Sequence, residues 1–62
     1  MSKLVLKPNL SRPDDFYAAL LSEHENLSRE ESNAYNARLV LVLANQIGDM
    51  DVLGEALAAA RK

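Results

Sequence analysis

The run Ala37-Arg38-Leu39-Val40-Leu41-Val42-Leu43-Ala44 lies inside a stretch, Arg29 to Ile47, that carries helix signals at both ends. Wound as a helix, it turns apolar side chains to nearly every side. Two short neighbours in a chain of 62 residues have too little surface to cover all of them. The run therefore points to a chain that completes its core on something else.

Length sharpens that reading. A chain this short forms one domain and buries only about 60% of the surface its unfolded form exposes. Chains of this size usually add disulfides, a structural metal or a partner subunit. Cysteine is absent, which excludes disulfides, thiolate metal sites and a cysteine nucleophile. With a single histidine, a zinc site would have to be built largely from carboxylates, an uncommon solution. Association is the staple that remains, either with itself or with a larger protein.

Charge and hydropathy exclude other classes. Nine acidic against seven basic residues give a formal charge of -2, so there is no broad positive field for a phosphate backbone, and no nucleic-acid partner is expected. No apolar stretch reaches the ~18 residues of a spanning helix, and Leu4-Val5-Leu6 is far shorter than the core of a signal peptide. No membrane partner is expected, and the expected compartment is the cytoplasm. Aromatic residues are few, so the core is expected to be built from Leu, Val and Ala in the manner of a helical protein.

Along the chain, Pro8-Asn9 stops the loosely alternating residues before them, and residues 1–11 read as an extended arm. Its Leu4, Leu6 and Leu10 are expected to strap across the helices; the alternative adds the arm to the edge of a partner's sheet. The first helix is expected over about residues 12–25. Pro13 stands in its first turn, and Asp14 and Asp15 lie near the positive end of the helix dipole. Phe16, Leu20 and His24 recur on its inward stripe, widened by Tyr17, Leu21 and Ala19.

The second helix, 29–47, opens on Ser28-Arg29-Glu30-Glu31, an S-x-x-E capping box in which Ser28 and Glu31 satisfy each other's free amides. Gly48 closes it as a left-handed residue that carries no β-carbon penalty. The third helix, 50–61, is capped by Asp49, with Arg61 and Lys62 opposing its negative end. Val52, Leu53, Ala56, Leu57 and Ala60 form its apolar stripe, and mid-helix Gly54 would be justified by a close helix-helix approach. These assignments predict an all-α fold of three short helices with helix two central.

A helical wheel resolves the second helix. Tyr35, Leu39, Val42, Leu43 and Ile47 form the expected inward face, while Leu41 and Ala34 fall almost opposite. Val40, Leu41 and Ala44, bordered by polar Arg38 and Asn45, are the candidate partner interface. The competing expectation is that the arm covers them. Asn36 falls between Leu43 and Ile47, and a buried amide without partners costs about 1–3 kcal/mol. It is expected to bond the backbone of the arm or of the Gly48 turn; alternatively Asn36, Arg38 and Asn45 anchor a partner.

Signals for chemistry are weak. His24 between Glu23 and Glu25 suggests a general base or ligand, yet neighbours in sequence point apart on a helix, so the triplet is not a triad. A packing or capping histidine is the expectation. Asp49, Asp51 and Glu55 suggest a hard cation, but they lack the spacing of a calcium loop, and capping accounts for the two aspartates. The outline of a helix-turn-helix around Gly48 would carry Asp51 and Glu55 toward phosphates, against the electrostatics. No catalytic residue, metal or cofactor is assigned.

Pro8-Asn9-Leu10, Pro13-Asp14-Asp15-Phe16-Tyr17, Leu27-Ser28, Asn36-Ala37-Arg38-Leu39-Val40-Leu41 and Leu43-Ala44-Asn45-Gln46-Ile47-Gly48-Asp49 together resemble the bacterial domain-of-unknown-function family numbered 2783. The resemblance covers most of the chain. It implies a short stand-alone protein, in a family that often has histidine where this chain has Gln46. It also implies genes near flavin-dependent hydroxylases and other enzymes of aromatic-compound breakdown, and it brings no catalytic residues. The expected function is a non-catalytic interaction module, a homodimer or an accessory subunit of a larger enzyme such as a flavin-dependent hydroxylase. The alternative is a small-molecule or metal-binding enzyme that uses His24 with carboxylates.

Overall fold

The computed structural model describes residues 4–61, which form α1 (Pro13–His24), α2 (Arg29–Ile47) and α3 (Met50–Ala60). The fold is all-α, with no strand among the described residues, and every helix boundary falls within one residue of its expected position. Local chemistry explains that agreement. Pro13 opens α1 beside Asp14 and Asp15, while Arg12, at the cap position, makes no cap and instead donates from Nε to Asp15 Oδ2 at 2.6 Å. At the start of α2 the Ser28 hydroxyl accepts from the Glu31 amide at 3.1 Å, and Glu31 Oε1 accepts from the Ser28 amide at 2.9 Å. The capping box is complete.

Gly48 ends α2 at φ 68 and ψ 17, with its amide donating to the Ala44 carbonyl at 2.9 Å. A β-carbon in that left-handed conformation would be strained, which is why glycine stands there. Asp49 then caps α3, its Oδ1 accepting from the amides of Asp51 at 2.9 Å and Val52 at 3.2 Å. The two-residue link folds α3 back on α2, and these two helices make the main tertiary contact. Leu39, Ala44, Val52, Leu53 and Ala56 are half-buried.

Packing departs from the wheel. Among the described residues none is buried, and the molecule measures 42 × 25 × 24 Å with a radius of gyration of 13.5 Å. A compact domain of this length has a radius near 10.5 Å. Of the expected inward face of α2, Tyr35 and Leu39 are half-buried, whereas Val42, Leu43 and Ile47 are exposed. In α1, Leu20 and His24 are half-buried while Phe16, Tyr17 and Leu21 are exposed; in α3, Leu57 and Ala60 are exposed. The cause is geometric. A helix of 19 residues runs about 28 Å, so shorter helices of 12 and 11 residues, joined at opposite ends, leave most of its circumference open.

The arm does not strap the helices as expected. Leu4 is half-buried and donates its amide to Glu55 Oε1 at 3.2 Å, which ties the arm to α3. Beyond that point it leaves the surface, with Leu6 78% exposed and Val5 and Leu10 also exposed. Residues 1–3 of the expected arm, and Lys62, lie outside the described residues.

Candidate interaction surface

The polar set near the α1–α2 turn comes together around His24. Its Nδ1 lies 2.8 Å from Ser32 Oγ and its Nε2 lies 3.0 Å from Asn36 Oδ1, while its ring meets that of Tyr35 edge-on at 5.0 Å between centroids. An amide oxygen only accepts, so Nε2 carries the proton and donates to Asn36, which leaves Nδ1 to accept from the Ser32 hydroxyl. Helical spacing places the partners: Ser32, Tyr35 and Asn36 stand at i, i+3 and i+4 on one side of α2. The geometry explains His24 as a packing histidine that fastens the end of α1 to α2.

This arrangement corrects the expectation for Asn36. Its amide oxygen serves His24 rather than the backbone of the arm or of the Gly48 turn. No sequence signal could have shown that, because the two residues stand twelve apart and meet only across the turn. Among the described residues neither ring nitrogen of His24 meets a carboxylate, and no group of three His, Asp or Glu side chains stands close enough to hold a metal. Asp49 is engaged in its cap and Glu55 receives the arm, so these two carboxylates have structural duties.

The rest of α2 faces outward. Val40 is 62% and Leu41 70% exposed, Arg38 and Asn45 are exposed, and Ala44 is half-buried. The arm therefore leaves Val40 and Leu41 uncovered. At about 100° per residue these five positions divide into two strips. Arg38, Leu41 and Asn45 form one, and Val40 and Ala44 border the other.

That second strip is wider than the wheel alone suggested. Leu43 at 47% and Ile47 at 50% exposure join Val40 on it. The wheel assigned Leu43 and Ile47 to the inward face. Their spacing marks one continuous stripe without saying which side a neighbour covers: Asn33, Asn36, Val40, Leu43 and Ile47 are separated by three, four, three and four residues. They fall within about 80° of one another on the helix. On α3, Met50 and Leu57 are exposed, and Met50, Asp51, Gly54, Glu55 and Ala58 line an open groove. A β-carbon added at Gly54 would meet nothing within 4 Å, so the close approach expected there does not occur within the chain.

These features define a class: a small three-helix unit with no enclosed core among the described residues, whose longest helix presents one exposed apolar strip and, beside Leu41, a more polar one. No helix among the described residues is long and apolar enough to cross a membrane. The chain belongs to the family described as protein of unknown function DUF2783, whose family model matches residues 4–62, nearly the whole chain. No curated protein and no solved structure matches it.

Proposed function

We propose that this chain is a non-catalytic interaction module whose fold is completed by a polypeptide seated on α2, with Arg38, Val40, Leu41, Ala44 and Asn45 in the interface. The observation that carries this reading is the absence of any buried residue among those described, in a chain with abundant Leu, Val and Ala. Exposed apolar surface of this extent marks interaction sites in small proteins. The module serves either as a homodimer or as an accessory subunit of a larger enzyme. The family resemblance makes a flavin-dependent hydroxylase of aromatic-compound breakdown the first large partner to test. The rival reading, an enzyme built on His24, gains nothing from the uncharged neighbours that hold its ring.

The test measures molar mass by sedimentation and helicity by circular dichroism, each as a function of concentration. Association together with rising helicity supports the module. A fully helical monomer at all concentrations, which binds no hydroxylase, would end it. The double variant Val40→Glu/Leu41→Glu charges both strips of α2 and is expected to weaken association by at least about 100-fold, close to 3 kcal/mol.

A further inference from the structure

We infer that the polypeptide completing this fold is a second copy of the same chain, paired through α2 in parallel register along Asn33, Asn36, Val40, Leu43 and Ile47. The inference rests on the interaction-module reading and names the partner on its Val40–Ala44 side, Arg38, Leu41 and Asn45 belonging to the other strip. Area comes first. The chain exposes 5831 Å² at a mass of 6.8 kDa, whereas a compact monomer of that mass exposes about 4,000 Å². The excess of roughly 1,800 Å², summed over the whole chain, exceeds the ~800 Å² that each partner contributes to a standard interface and lies within the range of obligate dimers.

The seam then selects its partner. Spacings of three and four, repeated, keep one stripe facing a neighbouring helix through a left-handed crossing. Read as a heptad, Asn33, Val40 and Ile47 take the a positions, and Asn36 and Leu43 take d. β-Branched residues at a with Leu at d are the combination that favours two parallel strands. Asparagine at an a position supplies register, because its amide finds a matching amide only when the two helices are aligned.

Charge points the same way. From Ser32 to Ile47 the only charged residue is Arg38, which lies on the side of α2 opposite Ile47. Positions beside the seam are Ser32, Ala37, Leu39, Ala44 and Gln46, all uncharged. Along Asn33 to Ile47 a copy therefore approaches without like-charge repulsion; only the first turn of α2, with Arg29 on the seam and Glu30 beside it, brings charges together.

Orientation follows from matching ends. In parallel register amide meets amide at Asn33 and Asn36, and aliphatic meets aliphatic at Val40, Leu43 and Ile47. In the antiparallel arrangement centred on Val40, Asn33 would face Ile47 and Asn36 would face Leu43, setting amides against side chains that cannot bond them. Asn36 Oδ1 accepts from His24 and retains a second lone pair, and its amide nitrogen bonds no described residue. That nitrogen is the donor toward the second copy.

Three measurements on the full chain test the pairing. Sedimentation equilibrium is expected to give twice 6.8 kDa. Leu43→Asp is expected to weaken the dimer by at least about tenfold, while Val42→Asp, exposed and off the seam, leaves it within about twofold. The chain has no cysteine of its own, so Ile47→Cys reports the register directly. In parallel alignment two copies bring their sulfurs within disulfide reach and link on mild oxidation, whereas Val42→Cys does not. This variant keeps the test decisive if Leu43→Asp loses its helicity.

A mixed disulfide between Asn33→Cys and Ile47→Cys, without self-linking of Ile47→Cys, would overturn the parallel register. A dimer lost with Leu41→Asp but kept with Leu43→Asp would overturn the seam and leave the interaction module standing. So would a poorly helical monomer that gains helix only on adding the hydroxylase. A fully helical monomer that binds nothing overturns both.

Discussion

The two junctions of this molecule are held by different physics. At the α1–α2 junction a single side chain, His24, reaches Ser32 and Asn36 with its two nitrogens and Tyr35 with its ring. At the α2–α3 junction a two-residue turn brings the two helices into contact, and Val52, Leu53 and Ala56 of α3 are half-buried. Hydrogen bonds to half-exposed groups contribute only about 0.5–1.5 kcal/mol each, because water competes for them. Apolar burial is less easily replaced. The α2–α3 pair is therefore expected to be the more stable unit, with α1 opening first.

That contrast is open to attack by substitution, with stability read from denaturant midpoints at one protein concentration. Gly48→Val forces a β-branched residue into φ 68 and is expected to cost about 2 kcal/mol, loosening α3 from α2. An unchanged midpoint would mean that the turn does not set the hairpin. His24→Ala removes both hydrogen bonds and the ring contact, at about 1–2 kcal/mol. Its effect should stay local: amide exchange in α1 rises about fivefold or more while that in α3 is unchanged. Equal acceleration in both helices would erase the distinction between the junctions.

Smaller effects sharpen the picture. Asp49→Ala frees the amides of Asp51 and Val52 and is expected to cost about 1 kcal/mol, with faster exchange in α3 and none in α1. Gly54→Ala puts a methyl group into open space, so a gain of about 0.5–1 kcal/mol is expected. A loss instead would place another helix against that face. Arg12→Ala breaks an ion pair whose side chains are 78% and 63% exposed, and a shift of less than about 0.5 kcal/mol is expected.

The elements were legible because their signals are local. Ser28 with Glu31, Gly48, Asp49 and Pro13 each act within three or four residues, so spacing alone locates the helix ends. The candidate surface was legible in part. Arg38, Val40, Leu41 and Asn45 are exposed as the wheel suggested, but Leu43 and Ile47 were assigned to a core that three short helices do not enclose. The wheel ranks directions around one helix; it carries no information on which directions a neighbour reaches. Asn36 shows the same limit, since its bond to His24 depends on where α1 turns into α2.

The sequence by itself determined the all-α class, the three helices and their caps, and the surplus of apolar surface on the longest helix, because propensity, capping and periodicity are properties of short segments. Only the tertiary structure decided that α3 folds onto α2 while α1 hangs on His24, that the arm meets Glu55 and leaves α2 bare, and that no described residue is buried. Those outcomes depend on the lengths and directions of helices meeting in space.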